Sequence, residues 1–145
     1  MEITWIGPFE FGSLLRDRLD PEAPWPPISG SAYLVTQHFW DRQPTPKSVP
    51  LYVGGNTGHS QRFRTRIGDL LADSFGFFTP ERGHHSGGQS IWKWSNEHVV
   101  NPLALHLAWV QPGNCHRCLE SSLVSQLKPL LNKHRPASCR EHPQA

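Results

Sequence analysis

Leu51-Tyr52-Val53-Gly54-Gly55-Asn56-Thr57-Gly58, followed three residues later by Arg62-Phe63-Arg64-Thr65-Arg66-Ile67-Gly68-Asp69-Leu70-Leu71, is where the hydrophobic period of this chain changes. The first three residues have strand composition and the glycine-rich run is turn chemistry. From Phe63 the period is 3.6: Phe63, Ile67, Leu70, Leu71 and Phe75 recur at helical spacing, with Arg62, Arg66, Asp69 and Asp73 on the other side. Toward the N-terminus, Ala32-Tyr33-Leu34-Val35-Thr36 predicts a second strand, separated from the first by a loop over residues 41–50 with three prolines. Pro21-Glu22-Ala23-Pro24-Trp25-Pro26-Pro27 cannot be helix or central strand, and residues 9–19 predict a short helix.

Toward the C-terminus, Gly83-His84-His85-Ser86-Gly87-Gly88 predicts a loop capping a helix through Trp92 and Trp94. Residues 103–110 predict a strand, Pro112-Gly113-Asn114 a turn, and Leu119, Leu123 and Leu127 a helix that Pro129 kinks or ends. The order helix, strand, strand, helix, helix, strand, helix implies a small α/β or α+β domain. Residues 1–29 form an N-terminal helix and proline-rich segment packed on that domain, 30–135 the domain itself, and 136–145 a loose tail.

The 145 residues suit one domain with its own core. No stretch nears the roughly 20 apolar residues of a membrane span, so no membrane partner is expected. The first residues lack a basic region followed by an apolar core, and three cysteines make an odd count. Together these predict a reducing, cytoplasmic setting rather than a secreted disulfide scaffold. The net charge of +2 is asymmetric: residues 1–41 carry two basic against six acidic groups, and residues 42–145 carry twelve against six. A modestly cationic body suits a polyanion, although on charge alone an ordinary solvated surface is the better explanation.

Three features could carry chemistry. Tyr33 and Tyr52 lie in adjacent predicted strands, the second before a glycine turn, where a hydroxyl can point into a cleft; β-propensity alone also explains them. Arg62, Arg64 and Arg66 open the amphipathic helix, where a guanidinium fork can clamp phosphate, or Arg66 can pair with Asp69 on the helix surface. Glu120 sits beside the leucine stripe of the last helix, where a carboxylate is costly unless paired or bound to a cation, or where it simply complements the helix dipole.

Taken in order, Ala32-Tyr33, Leu51-Tyr52-Val53-Gly54, Phe63-x-x-Arg66-Ile67, Leu119-Glu120 and Lys128-Pro129-Leu130-Leu131-Asn132 resemble the GIY-YIG nuclease family. The likeness covers roughly residues 30 to 135. It departs from the family at Ser31-Ala32-Tyr33, in the long loop from Gln37 to Pro50, and at Gly55, where a lysine often stands. That loop and His84-His85 resemble the restriction-enzyme branch. The resemblance implies a small three-stranded antiparallel or mixed sheet flanked by helices, and metal-dependent hydrolysis of a DNA phosphodiester. Glu120 would be the sole protein ligand of Mg²⁺ (or Mn²⁺), an ion that keeps several waters. Arg66 would hold the phosphate, and a tyrosine would activate water with His84 or, preferably, His85 as neighbour. The family leaves open which tyrosine acts; Tyr33 is favoured as the base, with Tyr52 orienting. Asn132 would pin the cleft. Arg62, Arg64, Lys133 and Arg135 would contact DNA, and two-strand cleavage would call for a homodimer.

Rival readings stand beside this one. Cys115-x-x-Cys118, twenty residues, then Cys139-x-x-His142 is spaced like a structural Zn²⁺ site. That site is compatible with the nuclease, or with a catalytically inactive nucleic-acid-binding or adaptor domain. Trp40, Trp92 and Trp94 could form a protein-docking patch, or belong to core and rim.

Overall fold

The sheet has one strand more than expected. In the computed structural model, which describes residues 3–30, 32–55, 61–79, 81, 85–111, 115–133 and 139, strands β1 (Trp5–Glu10), β2 (Ala32–Thr36), β3 (Pro50–Gly55) and β4 (His106–Val110) form one sheet. Its order is β1-β4-β2-β3, with every neighbouring pair antiparallel. The fold is α+β, and the three-stranded expectation is corrected by β1. Gly7 and Pro8 hide that strand in the sequence. The β1–β4 register shifts between Ile6 and Phe9, and Gly7 takes a φ of 108°. A Cβ at Gly7 would come within 2.9 Å of the Leu107 carbonyl oxygen. Pro8 is tolerated because β1 is an edge strand.

Four helices cover the sheet: α1 (Phe11–Arg16), α2 (Phe63–Ser74), α3 (Ser86–His98) and α4 (His116–Leu127). The helix expected over 9–19 thus shrinks to six residues behind β1. The strand expected from residue 103 starts at His106, because Pro102–Ala104 forms a single 3-10 turn capped by the Asn101 side chain. The remaining elements lie where the periodicity puts them, and α4 stops at Leu127 with Lys128 in the left-handed region ahead of Pro129.

Alternation along the strands splits the interior into two cores. Tyr33, Val35, Leu107 and Trp109 face α2 and α3, packing with Phe63, Ile67, Leu70 and Ile91. Ala32, Leu34, Val53, Ala108 and Val110 face the other way and pack on Leu119 and Leu123 of α4. The tryptophans are divided accordingly: Trp40 is buried in the α4 core and Trp94 in the opposite one, so with Trp92 they make no common surface patch. No helix among the described residues is long and apolar enough to cross a membrane.

Candidate active site

The centre of the site is a short hydrogen bond between Tyr33 on β2 and His85 just before α3. Tyr33 Oη and His85 Nε2 are 2.6 Å apart, and both residues are 1% exposed. Two glycines create the space. Gly54 pairs with Tyr33 across β2 and β3, and a methyl there would overlap the tyrosine ring and hydroxyl. A methyl at Gly87 would overlap the ring of Tyr52, which therefore packs against the first turn of α3. Tyr33 and Tyr52 lie with ring centroids 6.2 Å apart, close enough for each hydroxyl to influence the ionisation of the other.

His85 is fixed from three sides. It caps α3, its Nδ1 accepting from the Gly88 amide at 3.1 Å. Its own amide donates to the buried Asp73 carboxylate at 2.9 Å. Burial first, and the Arg66 charge second, lower the imidazole pKa from 6.5 to about 4, so the ring is neutral at neutral pH. With Nδ1 accepting, the single ring proton resides on Nε2, and His85 donates to Tyr33 Oη. Asp73 is absent from the sequence-based candidates. The helical wheel puts it on the polar side of α2, yet it is 1% exposed and braces His85 from beneath. The close seat of Gly88, where a Cβ would come within 2.8 Å of Asp73 Cβ, is the local cause.

The charges of Arg66 on α2 and Glu120 on α4 act in opposite directions on both tyrosines. Tyr33 is raised well above the ordinary tyrosine pKa by burial, then by Tyr52; Arg66 lowers it and Glu120 raises it. Tyr52, only half-buried, is raised by burial and by Glu120, and lowered by Arg66 and by its hydrogen bond with Tyr33. Glu120 is itself raised by desolvation, with Arg117 opposing. Asn132 lies on the far side of β3: its Oδ1 accepts from the Val53 amide and its Nδ2 donates to the Val53 carbonyl, both at 2.8 Å. With Leu130 and Leu131 donating to the Pro50 and Leu51 carbonyls, residues 130–132 run along the open edge of the sheet beside Tyr52.

Thus Tyr33, Tyr52 and His85 are in contact, Arg66 and Glu120 lie within electrostatic reach of both tyrosines, and Asn132 ties the strand carrying Tyr52. The DNA-facing candidates are more dispersed. Arg62 is exposed before α2, Lys133 is exposed, and Arg64 Nε donates to the Pro26 carbonyl at 2.7 Å, tethering the proline-rich segment. His84, Arg135, His142 and the turns over 56–58 and 112–114 lie outside the described residues, as does the tail except for Cys139.

A second cluster lies at the start of α4. The sulfurs of Cys115, Cys118 and Cys139 all lie within 4.8 Å of one another, with Cys115 and Cys139 at 3.6 Å. Desolvation and hydrogen bonds with Cys115 and Cys139 push the Cys118 thiol up to about 12. A thiol that holds its proton so tightly is no nucleophile at neutral pH.

Glu120, the metal ligand expected from the resemblance, is a half-buried carboxylate whose pKa desolvation raises, and it belongs to no group of three or more candidate ligands among the described residues. A lone carboxylate suits an ion that retains water and takes the rest of its shell from substrate oxygens. Comparisons with protein-family models, with curated proteins and with solved structures return no match for this chain.

Proposed function

We propose that this chain is a metal-dependent DNA endonuclease of GIY-YIG type, hydrolysing phosphodiester bonds with Mg²⁺ or Mn²⁺ held by Glu120. What supports the reading is a neutral histidine hydrogen-bonded to Tyr33 beside Tyr52, with a cation, Arg66, and a carboxylate, Glu120, both within electrostatic reach of the two tyrosines. A purely structural aromatic pair has no need of all three.

The tyrosine roles differ from those inferred from the sequence. Tyr33 is sealed from solvent and its oxygen accepts from His85, so it cannot be the group that touches water. Tyr52 is half-buried and becomes the general base, with Tyr33 as the positioning residue behind it. His85 Nε2–H donates to Tyr33 Oη, and Arg66 and the Tyr33 hydroxyl lower the Tyr52 pKa against burial and Glu120, which raise it on balance. The Tyr52 phenolate takes a proton from the attacking water. Arg66 binds the phosphate and offsets the charge that accumulates on it in the transition state. When bound, the cation neutralises the Glu120 charge that raises both tyrosines and stabilises the phosphate and leaving oxygen. Arg62 and Lys133 extend the positive field along the DNA, and cutting both strands calls for two copies of the chain.

The test is cleavage of supercoiled plasmid in Mg²⁺ by the full chain, by Glu120→Ala and in chelator. Discrete products lost in both controls are expected. Cleavage retained by Glu120→Ala refutes the metal assignment. Binding without cleavage of any DNA form refutes the enzyme and leaves the inactive nucleic-acid-binding domain.

A further inference from the structure

The nuclease reading leaves the three cysteines unused, although they come from two segments more than twenty residues apart. Cys115 is the residue before α4 and Cys118 lies in its first turn, while Cys139 is brought in from the C-terminal segment and is 8% exposed. The Cys115 side chain does not cap the helix amides. Its sulfur instead turns to Cys139, at 3.6 Å.

Simple geometry separates the possible reasons for such a cluster. A disulfide needs sulfurs about 2.05 Å apart and uses two cysteines, leaving the third without purpose. A tetrahedral zinc with Zn–S bonds of about 2.3 Å requires sulfur–sulfur edges of about 3.8 Å and readily uses three thiolates. The 3.6 Å separation is close to that edge, and the other two pairs fall within 4.8 Å. A hard ion is excluded by the ligands, since soft sulfur selects zinc over magnesium or calcium.

We propose that Cys115, Cys118 and Cys139 are three thiolate ligands of a structural Zn²⁺ that fastens the C-terminal segment to the first turn of α4. Three thiolates leave one tetrahedral position, which a water molecule can fill. The ion adds no chemistry to phosphodiester cleavage. It fixes the helical turn that carries Glu120, two residues beyond Cys118, so its role is positional.

The experiment is elemental analysis of full-length protein expressed with zinc and purified without chelator. One zinc per chain is expected, falling at least about tenfold in Cys118→Ser and in Cys139→Ser and unchanged in Glu120→Gln. Because either serine variant could fail to fold, wild-type protein is also stripped and titrated with Co²⁺. Intense sulfur-to-cobalt charge-transfer absorption, saturating at one equivalent, supports the site. Substoichiometric zinc together with absence of that absorption overturns it, as does a Cys115–Cys139 disulfide in freshly purified protein. Neither readout depends on DNA cleavage, so failure of the nuclease reading and failure of the zinc site are seen separately.

Discussion

Acidification should loosen this fold through His85, by an amount that follows from its surroundings. Burial, followed by the Arg66 charge, holds the imidazole neutral down to about pH 4, against an ordinary value of 6.5. Below about pH 6.5 the unfolded chain binds a proton at this position while the folded chain does not. The unfolded state therefore binds more protons across the window, and stability falls as pH falls. The contribution is complete above about pH 6.5, is lost progressively down to about pH 4, and changes no further below. At about 1.4 kcal/mol per pH unit, the gap caps the loss at about 3 kcal/mol. The perturbation is His85→Asn, which keeps an acceptor for the Gly88 amide and cannot titrate. At pH 7 the variant should be less stable by about 1 kcal/mol, for the lost bond to Tyr33. Urea unfolding of both proteins from about pH 7 to about pH 4 should bring the curves together and cross them. His106, whose pKa is also lowered by burial, is present in both proteins and cancels from the difference. Parallel stability profiles would refute the neutral, buried imidazole and with it the direction of its hydrogen bond to Tyr33.

Tyr33→Phe leaves the buried His85 Nε2–H without its acceptor and should cost about 1–3 kcal/mol in unfolding experiments, besides slowing single-turnover cleavage. Tyr52→Phe should abolish cleavage while changing unfolding free energy by less than about 1 kcal/mol, since its hydroxyl is half-solvated; a Tyr52→Phe variant that cuts at the wild-type rate contradicts the assignment of the base. Asn132→Ala removes two 2.8 Å bonds to Val53 and should cost about 1–2 kcal/mol, with faster hydrogen exchange at the Val53 amide as its local signature. Gly54→Ala forces a methyl into the Tyr33 ring and hydroxyl, and should cost about 1–3 kcal/mol, seen as a lowered urea midpoint.

Elements with a clean period were legible in the sequence. The run Ala32-Tyr33-Leu34-Val35-Thr36 is β2 to the residue, and the stripe through Phe63, Ile67, Leu70 and Leu71 is the buried side of α2. Strand β1 was not legible, because Gly7 and Pro8 break the alternation by which a strand declares itself, and its pairing with β4 is settled by partners a hundred residues away. Asp73 shows the complementary limit. A carboxylate on the polar side of a helix reads as solvated, and only the later arrival of Gly88 and the His85 amide encloses it. The contact of Tyr33 with Tyr52 could be expected from their adjacent predicted strands. Their division of labour could not, since a pattern of spacing contains no information about which hydroxyl reaches water.

That division follows from the strand order. In β1-β4-β2-β3, β2 lies between two neighbours, so a side chain on it that faces α2 and α3 is enclosed on every side; Tyr33 accordingly takes its hydrogen bond from a buried histidine. β3 has a neighbour on one side alone, and its other edge meets the chain at residues 130–132, which satisfy the backbone through Asn132, Leu130 and Leu131 without enclosing the Tyr52 side chain. An interior strand thus supplies a tyrosine that is held rigid and protonated, and an edge strand supplies one that remains half-exposed. In the proposed mechanism the outer oxygen, whose pKa Arg66 lowers and burial raises, would be the one to take the proton from water, with Tyr33 held behind it by His85. Exchanging the roles would require ionising the sealed oxygen, against the strongest burial effect on either hydroxyl.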